Sequence, residues 1–247
     1  MSNNYIVELE DVDTIYEGEK IPAIRDINLK IKTGEFICVI GPNGAGKTTL
    51  LETINGILPS TRGKVRAIGQ NIKKFGHSLR KKIGYVPQEM AIDELSPFLV
   101  EDVIMMGRFG KIGILKSPNA QDFEIMEEII KWIKIEDLIR RPVGKLSGGQ
   151  LQKVMIARAL VKKPKILLLD EPFSNLDIKA SQDISEKIYH LHLNSKLTII
   201  MVTHNIGSIP VNSNKVMLMN DGKIIQGNLS ADDFRLNQLK SLYEVKD

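Results

Sequence analysis

The sequence predicts an α/β fold built around a mostly parallel β-sheet. Residues 166–169 and 198–202 are continuous apolar runs, which are typical of strands covered on both faces. Between these runs, Ile184, Ile188 and Leu191 recur at helical spacing. The resulting strand–helix–strand alternation is the pattern of a domain in which helices cover a parallel sheet.

The first third of the chain predicts strands separated by turns. They are expected at residues 6–9, 27–31, 36–40, 65–68 and 83–86. A helix is expected to begin at Lys47 and to end near Gly56, after the third of these strands.

Residues 95–160 change to helical spacing and predict an insertion in one domain. One predicted helix contains Val103, Met106 and Gly107, and the apolar face of the next consists of Phe123, Met126, Ile129, Ile130 and Ile133. Beyond the second apolar run, residues 216–219 and 223–226 flank an Asp-Gly turn, which predicts a β-hairpin. The last twenty residues predict a short polar helix.

Composition excludes several classes of protein. A chain of 247 residues with 43% hydrophobic and 26% charged residues is typical of a globular protein of one domain. The formal net charge is only +4, so no nucleic-acid partner is expected from charge. Cys38 is the sole cysteine, lies in an apolar run and predicts a buried thiol in a reducing compartment. No signal peptide and no apolar run of roughly 20 residues is present, which predicts a cytoplasmic chain that contacts a membrane only through a partner.

The segment Gly41-Pro42-Asn43-Gly44-Ala45-Gly46-Lys47-Thr48 is a complete phosphate-binding loop. Its glycines allow the tight turn that points backbone N–H groups at a phosphate, and the following helix adds its N-terminal dipole. Lys47 is expected to reach the β- and γ-phosphates of ATP, and the Thr48 hydroxyl to ligate Mg²⁺. The strand before the loop and the helix after it are the context that the motif requires. We include the next residue, Thr49, in the predicted nucleotide site.

Asp170 and Glu171 follow a predicted buried strand and supply the second half of the site. A carboxylate at this position can hold Mg²⁺ through its water shell, which suits Asp170. Glu171 would then face the γ-phosphate, where it could orient the attacking water or accept its proton. Many strands end in acidic residues, so this pair alone is a weak signal. Together with a phosphate loop in the same chain, it indicates a nucleotide site.

A third motif, Leu146-Ser147-Gly148-Gly149-Gln150, is followed by apolar residues at helical spacing. With all three motifs in the same order and at similar spacing, the chain resembles the ATP-binding subunits of the ABC family over nearly its full length. The resemblance implies one ABC ATPase domain, 1–247. It would have a core at about 1–90 and 162–226 with an N-terminal antiparallel β subdomain, a helical subdomain at about 91–161 and a tail at 227–247.

The resemblance also implies roles for residues outside the phosphate loop. Ser147, Gly148, Gly149 and Gln150 would bind the nucleotide held by a second copy of the chain, so that ATP joins two copies into a dimer. A small-residue helix start is the structural alternative for this segment.

Four single residues match family motifs in the same way. Gln88 matches the glutamine that contacts Mg²⁺ and water, and His204 matches the histidine that hydrogen-bonds the γ-phosphate. Asp177 matches the loop that crosses the dimer interface, although Asn175 replaces a residue that is commonly small in the family. Tyr16 is the candidate for stacking on adenine, with a surface tyrosine as the alternative.

Partners follow from the same resemblance. Residues 100–110 are similar to a segment of the ATPases that serve transition-metal (zinc, manganese or iron) importers, and related segments occur in ATPases for iron–siderophore and cobalamin uptake. We therefore expect integral-membrane permease subunits, an extracytoplasmic substrate-binding protein and a location on the inner face of the membrane. The alternative is a soluble ABC ATPase of iron–sulfur cluster assembly. Chromosome-associated relatives would need long coiled-coil insertions, and a P-loop kinase or GTPase would leave residues 146–150 unexplained.

Overall fold

The computed structural model describes residues 4–88, 92–113, 115–205, 207, 209–210 and 213–229. The polar helix expected over the last twenty residues lies outside the described residues, apart from residues 228 and 229, which belong to the last strand. The strands are β1 Tyr5–Thr14, β2 Ile24–Lys32, β3 Phe36–Ile40, β4 Arg62–Ala67, β5 Gln70–Asn71, β6 Ile83–Val86, β7 Ile166–Asp170, β8 Thr198–Thr203, β9 Lys215–Asn220 and β10 Lys223–Leu229. The α-helices are α1 Lys47–Asn55, α2 Ile72–Arg80, α3 Val100–Ile112, α4 Ala120–Ile133, α5 Gly148–Leu160 and α6 Ile178–Ser195.

Two sheets form the framework, and the predicted fold class is confirmed. A six-stranded sheet has the order β10-β9-β3-β8-β7-β6, and its strands are parallel except at the β9–β10 hairpin. A four-stranded sheet, β2-β1-β4-β5, is antiparallel. In the central sheet Ile40 pairs with Thr203 and Asp170 pairs with Val202, so the loops after β3, β7 and β8 leave the sheet at the same edge.

The central sheet is covered on both faces because its side chains alternate. Phe36, Cys38 and Ile40 of β3 pack with α3, α4, α5 and α6 on one face. Ile37 and Val39 pack with α1, α2 and the antiparallel sheet on the other. As expected, the Cys38 thiol is buried, and burial, reinforced by the negative charge of Glu171, raises its pKa to about 12.

Helices α3, α4 and α5 lie between β6 and β7 in sequence and pack on one another. Gly107 lets α3 approach α5 closely, because a Cβ atom there would lie 2.2 Å from the Arg158 carbonyl oxygen. The next residue, Arg108, donates from Nε and Nη2 to Asp122 Oδ1 at 2.9 and 2.6 Å, and both residues are buried. This pair fixes α3 against the first turn of α4. The domain boundaries given above stay a prediction.

One packing prediction is wrong. Phe123 was expected on the buried face of α4, but it is 46% exposed, and Ile125 takes part in that face instead. Residues 125, 126, 129, 130 and 133 follow the i, i+1, i+4, i+5 spacing of a helical stripe that Phe123 falls beside. Phe123 instead lines a surface groove together with Phe98 and Phe109.

Candidate nucleotide site

The predicted phosphate-binding and acidic residues meet at one edge of the central sheet. The phosphate loop follows β3, Asp170 ends β7 and Glu171 follows it, and His204 follows β8. Gln88 follows β6, which pairs in parallel with β7, and it is exposed at the same edge. The C-terminal edge of a parallel sheet is the usual place for a ligand in an α/β fold.

The phosphate loop has the backbone geometry that its glycines predict. Gly44 and Gly46 have φ values of +80° and +94°, in the region that side chains disfavour. Gly41 is needed for space, because a Cβ atom there would lie 2.0 Å from the Met219 carbonyl oxygen. Helix α1 begins at Lys47, so the N–H groups of its first turn open toward the loop.

Lys47 lies across the loop that precedes it. Its ammonium donates to the carbonyl oxygens of Gly41 at 2.8 Å and Pro42 at 3.0 Å, and the residue is only 7% exposed. Burial lowers the pKa of this amine, and the negative charges of Glu171 and Asp170 partly oppose that shift. The ammonium places a positive charge inside the phosphate loop, where it can pair with an anionic phosphate group.

Asp170 is a buried carboxylate without a partner of good hydrogen-bonding geometry. The residue is 1% exposed, and neither carboxylate oxygen has such a partner. Burial raises the pKa of Asp170 to about 6, and the charge of Glu171 adds to this rise, whereas the nearby Thr48 hydroxyl and Lys47 oppose it. An unpartnered buried carboxylate next to a hydroxyl indicates a place for a hard cation.

Glu171 is held by two residues at the end of β8. Its Oε1 accepts hydrogen bonds from the His204 backbone N–H at 2.9 Å and lies 2.7 Å from His204 Nδ1. Its Oε2 accepts from the Thr203 hydroxyl at 3.1 Å. Glu171 has a φ of +46°, and it borders a cavity of about 540 Å³ that His204 also lines. Thr203 was not among the predicted site residues, since a threonine at the end of an apolar strand gives no signal of its own.

Tyr16 lies against the helix that follows the phosphate loop. Its hydroxyl is 3.0 Å from Thr49 Oγ1, and 40% of the residue is exposed. The structure therefore brings Tyr16 beside the residue that follows Thr48, with ring surface left free. An exposed aromatic ring next to a phosphate loop is well placed to stack on a nucleotide base.

Residues 147–150 form a capping box at the start of α5. The Ser147 hydroxyl accepts from the Gln150 backbone N–H at 3.3 Å, and the Gln150 side chain accepts from the Ser147 backbone N–H at 3.1 Å. The loop before α6 lies against this turn, since a Cβ atom on Gly149 would be 3.0 Å from the Asn175 carbonyl oxygen. Asp177 is the N-cap of α6 and accepts from the Ala180 backbone N–H at 2.8 Å.

The structure does not bring residues 147–150 to the chain's own phosphate loop. Leu50 and Leu51 of α1 belong to the core on one face of the central sheet, whereas Val154 and Ile156 of α5 belong to the core on the other. Both helices begin with open N–H groups, but they begin on opposite sides of the sheet. Within one chain these residues therefore lie apart from Lys47.

Comparison with known proteins agrees with this geometry. Residues 24–174 match the family described as ABC transporter. The chain belongs to the ABC transporter family. It is 35% identical to the manganese transport system ATP-binding protein of Bacillus subtilis, over 96% of this chain and 92% of that protein. It is 34% identical to the zinc uptake system ATP-binding protein of Listeria innocua, over 91% and 86% of the two chains.

A solved ABC structure shares the fold. It is a dimeric ATP-binding cassette in a post-hydrolysis state, bound to ADP and Pi, with a TM-score of 0.79 and 28% identity. The match covers 91% of this chain and 98% of the other. As a member of the ABC family with a complete phosphate loop and acidic pair, the protein is an ATPase.

Two further observations concern metal ligands and membrane-spanning helices. The described residues contain no group of three or more His, Cys, Asp or Glu side chains that could hold a metal ion by themselves. Among these residues, no helix combines the length and apolar character needed to cross a membrane.

Proposed function

We propose that the protein is the ATP-hydrolysing subunit of an importer for a transition-metal ion or a metal chelate, and that it works as a dimer with a nucleotide at each shared site. The arrangement of Lys47, Asp170 and Glu171 at one sheet edge carries the ATPase part of this proposal. The relatives named above support the transport part, since both are named as subunits of metal transport systems.

The residues present fit a magnesium ion. Asp170 offers two buried, unpartnered carboxylate oxygens, and the neighbouring Thr48 adds a hydroxyl oxygen, which are the hard ligands that Mg²⁺ prefers. Gln88 lies at the same edge and can add an amide oxygen. When bound, Mg²⁺ would neutralise charge on the phosphates.

Each residue of the edge has a role in ATP hydrolysis in this proposal. The phosphate-loop N–H groups and Lys47 hold the β- and γ-phosphates, and Tyr16 stacks on adenine. Glu171 orients the attacking water and accepts its proton. His204, now paired with Glu171, turns its half-exposed ring toward the γ-phosphate. Phosphoryl transfer of this kind depends on positioning and on stabilising negative charge.

Dimer formation follows from the two faces of the sheet. Residues 147–150 present the N-terminus of α5 away from the chain's own loop, which leaves that N-terminus available to a second copy. Gly148, Gly149 and the Ser147 hydroxyl would bind the γ-phosphate that the second copy holds. Asn175 lies against this turn, and Asn175 and Asp177 would cross the interface.

Helices α3 and α4 border an aromatic groove on the surface of the protein. Phe98, Phe109 and Phe123 are each about half exposed and line a groove of about 530 Å³ that also contains Glu101 and Asp102. Exposed aromatic clusters of this kind mark protein interaction sites. We propose that membrane-spanning permease subunits dock on this side, that the protein thereby lies on the inner face of the membrane, and that a substrate-binding protein delivers the metal outside.

The alternative of iron–sulfur cluster assembly is not supported by the relatives described above. Both are named as parts of transport systems, and a soluble scaffold partner is named for neither. We propose that the transported metal does not touch this chain.

The proposal is tested by capturing partners with the tagged Glu171→Gln variant, which should bind ATP, nearly stop hydrolysis and accumulate as a dimer. The variant is incubated with ATP in detergent-solubilised membranes of its own host, and the captured proteins are identified by mass spectrometry. A polytopic membrane protein is expected. The Lys47→Ala variant, which should not bind ATP, is the matched control for dimer formation. Capture of soluble partners alone would contradict the importer function, and normal turnover by Glu171→Gln would contradict the role of Glu171.

A further inference from the structure

Thr203 connects the end of β8 to the proposed catalytic base. The residue is 1% exposed, and its hydroxyl donates to Glu171 Oε2 at 3.1 Å. The hydroxyl oxygen of Thr203 also accepts a hydrogen bond from the Asn205 backbone N–H, at 3.1 Å. Because that N–H occupies a lone pair of the hydroxyl oxygen, the hydroxyl proton is left to point at the carboxylate. A second acceptor among the described residues, the Asn205 carbonyl oxygen, is farther away at 3.5 Å.

The two oxygens of the Glu171 carboxylate are held in different ways. Oε1 is held by the His204 backbone N–H and by His204 Nδ1, and that imidazole side chain is 49% exposed. Oε2 is held by Thr203, which is buried in the sheet. If His204 turns to the γ-phosphate, Oε1 keeps only the backbone N–H, and Thr203 becomes the one described side chain that still donates to the carboxylate.

We infer that Thr203 is a positioning residue for ATP hydrolysis, which keeps the Glu171 carboxylate aimed at the attacking water after His204 has left it. This inference rests on the proposed role of Glu171. Donors to both carboxylate oxygens fix the plane of the group, and small misplacements of a catalytic group have large effects on rate. Thr203 itself does not touch the nucleotide in this role.

The test compares Thr203→Val, which keeps the shape of the side chain but cannot donate, with Thr203→Ser, which keeps the hydroxyl. Thr203→Val should lower kcat on the order of 10-fold, the size expected for a lost hydrogen bond to a charged group, with KM for ATP changed less than about twofold. Thr203→Ser should keep kcat within about twofold of the wild type. This split separates positioning from ATP binding.

Thr198→Val is the matched control. Thr198 begins the same strand, is fully buried, and its hydroxyl accepts from the Gly34 backbone N–H at 2.9 Å, far along β8 from Glu171. Its loss should lower the melting temperature and leave kcat unchanged. In a Glu171→Gln background, Thr203→Val should have no further effect on the residual rate, because both changes act through the same carboxylate.

The outcomes distinguish this inference from the proposed function. Normal turnover by Glu171→Gln would remove the basis of both. If Glu171→Gln is inactive but Thr203→Val keeps the wild-type kcat, only the role of Thr203 is wrong. An equal loss in Thr203→Val and Thr203→Ser, or the same loss in the Glu171→Gln background, would also overturn it.

Discussion

Asp170 shows at the scale of one residue how a binding site costs stability. Its carboxylate is buried without a good hydrogen-bond partner, and burial raises its pKa from 3.8 to about 6. Between these two values the folded protein binds a proton that the unfolded chain has released. The free energy of unfolding therefore falls as pH rises through this range, by up to about 3 kcal/mol. A bound cation would remove this penalty, which is consistent with a site kept for Mg²⁺.

The Asp170→Asn variant tests whether the Asp170 carboxyl makes the free energy of unfolding fall as pH rises. Without nucleotide or Mg²⁺, the free energy of unfolding of the variant relative to wild type should increase by about 1 kcal/mol between pH 5 and pH 8, because only wild type has to ionise a buried carboxyl in that window. Urea unfolding at both pH values measures the difference. The same variant should lose most of its Mg²⁺-dependent ATPase activity.

Asp183→Asn is the control for that experiment. Lys187 lowers the pKa of Asp183 below its ordinary value of 3.8, so this carboxylate is ionised in both the folded and unfolded chains from pH 5 to pH 8. The difference between Asp183→Asn and wild type should stay constant over the window. If the Asp170→Asn difference is equally constant, the buried carboxylate does not carry the assigned penalty.

Single residues divide into those that motifs predict and those that only packing reveals. Lys47, Asp170 and Glu171 could be predicted, because each belongs to a short motif with fixed chemistry at the end of a strand. Thr203 could not be predicted, because its proposed role depends on a hydrogen bond to Glu171, which is 32 positions away in the chain. The prediction that Phe123 lies on the buried face of α4 was wrong for a similar reason. Helical spacing predicts an apolar stripe, but it does not fix which residues lie at the edge of that stripe.

At the scale of elements, the strand–loop–helix unit β3–α1 follows closely from the sequence. A run of apolar residues predicts β3, and the glycines that follow predict the loop. Gly56, with a φ of +68°, ends α1 as a C-cap. Predicted strands are shorter than the observed ones at β1, β2 and β4, because polar residues at the strand ends pair across the antiparallel sheet. The sequence pattern marks the buried part of a strand, whereas hydrogen bonding extends it.

The phosphate loop offers a matched pair of glycine substitutions. Gly44→Ala places a side chain in open space at a φ of +80°, so it should cost about 1–2 kcal/mol of stability from backbone strain alone. Gly46→Ala has similar strain, but its Cβ would also lie 2.6 Å from the Ala23 carbonyl oxygen, so it should cost roughly 1–3 kcal/mol more. Chemical denaturation of the nucleotide-free variants measures both. Equal losses would show that the contact with Ala23 relaxes without cost.

At the scale of the whole molecule, the central sheet separates two surfaces that both belong to the proposed site. Alternating side chains of β3, β7 and β8 put α1 on one face and α5 on the other. This separation follows from the two-residue period of a strand, but the sequence alone does not say which face each helix covers. The resemblance to the ABC family supplied the expectation of a dimer, and the structure supplies a geometric reason for it.

Mixing two inactive variants tests whether the site is shared between chains. Lys47→Ala removes the phosphate-binding ammonium of one chain. Ser147→Asp keeps the N-cap of α5, because aspartate caps as well as serine, but it places a negative charge against the phosphate of the other chain. Each variant alone should have little ATPase activity. In a mixed dimer, the Lys47 of the Ser147→Asp chain meets the Ser147 of the Lys47→Ala chain, so one site is intact and the mixture should regain a fraction of the wild-type rate.

Mixing Ser147→Asp with the double variant Lys47→Ala/Ser147→Asp leaves no intact site and should regain nothing. A Ser147→Asp protein with the full wild-type rate would show that residue 147 meets no phosphate. A mixture no more active than its two components would show that each chain completes its own site. That result would require α5 to reach around the sheet that now separates it from α1.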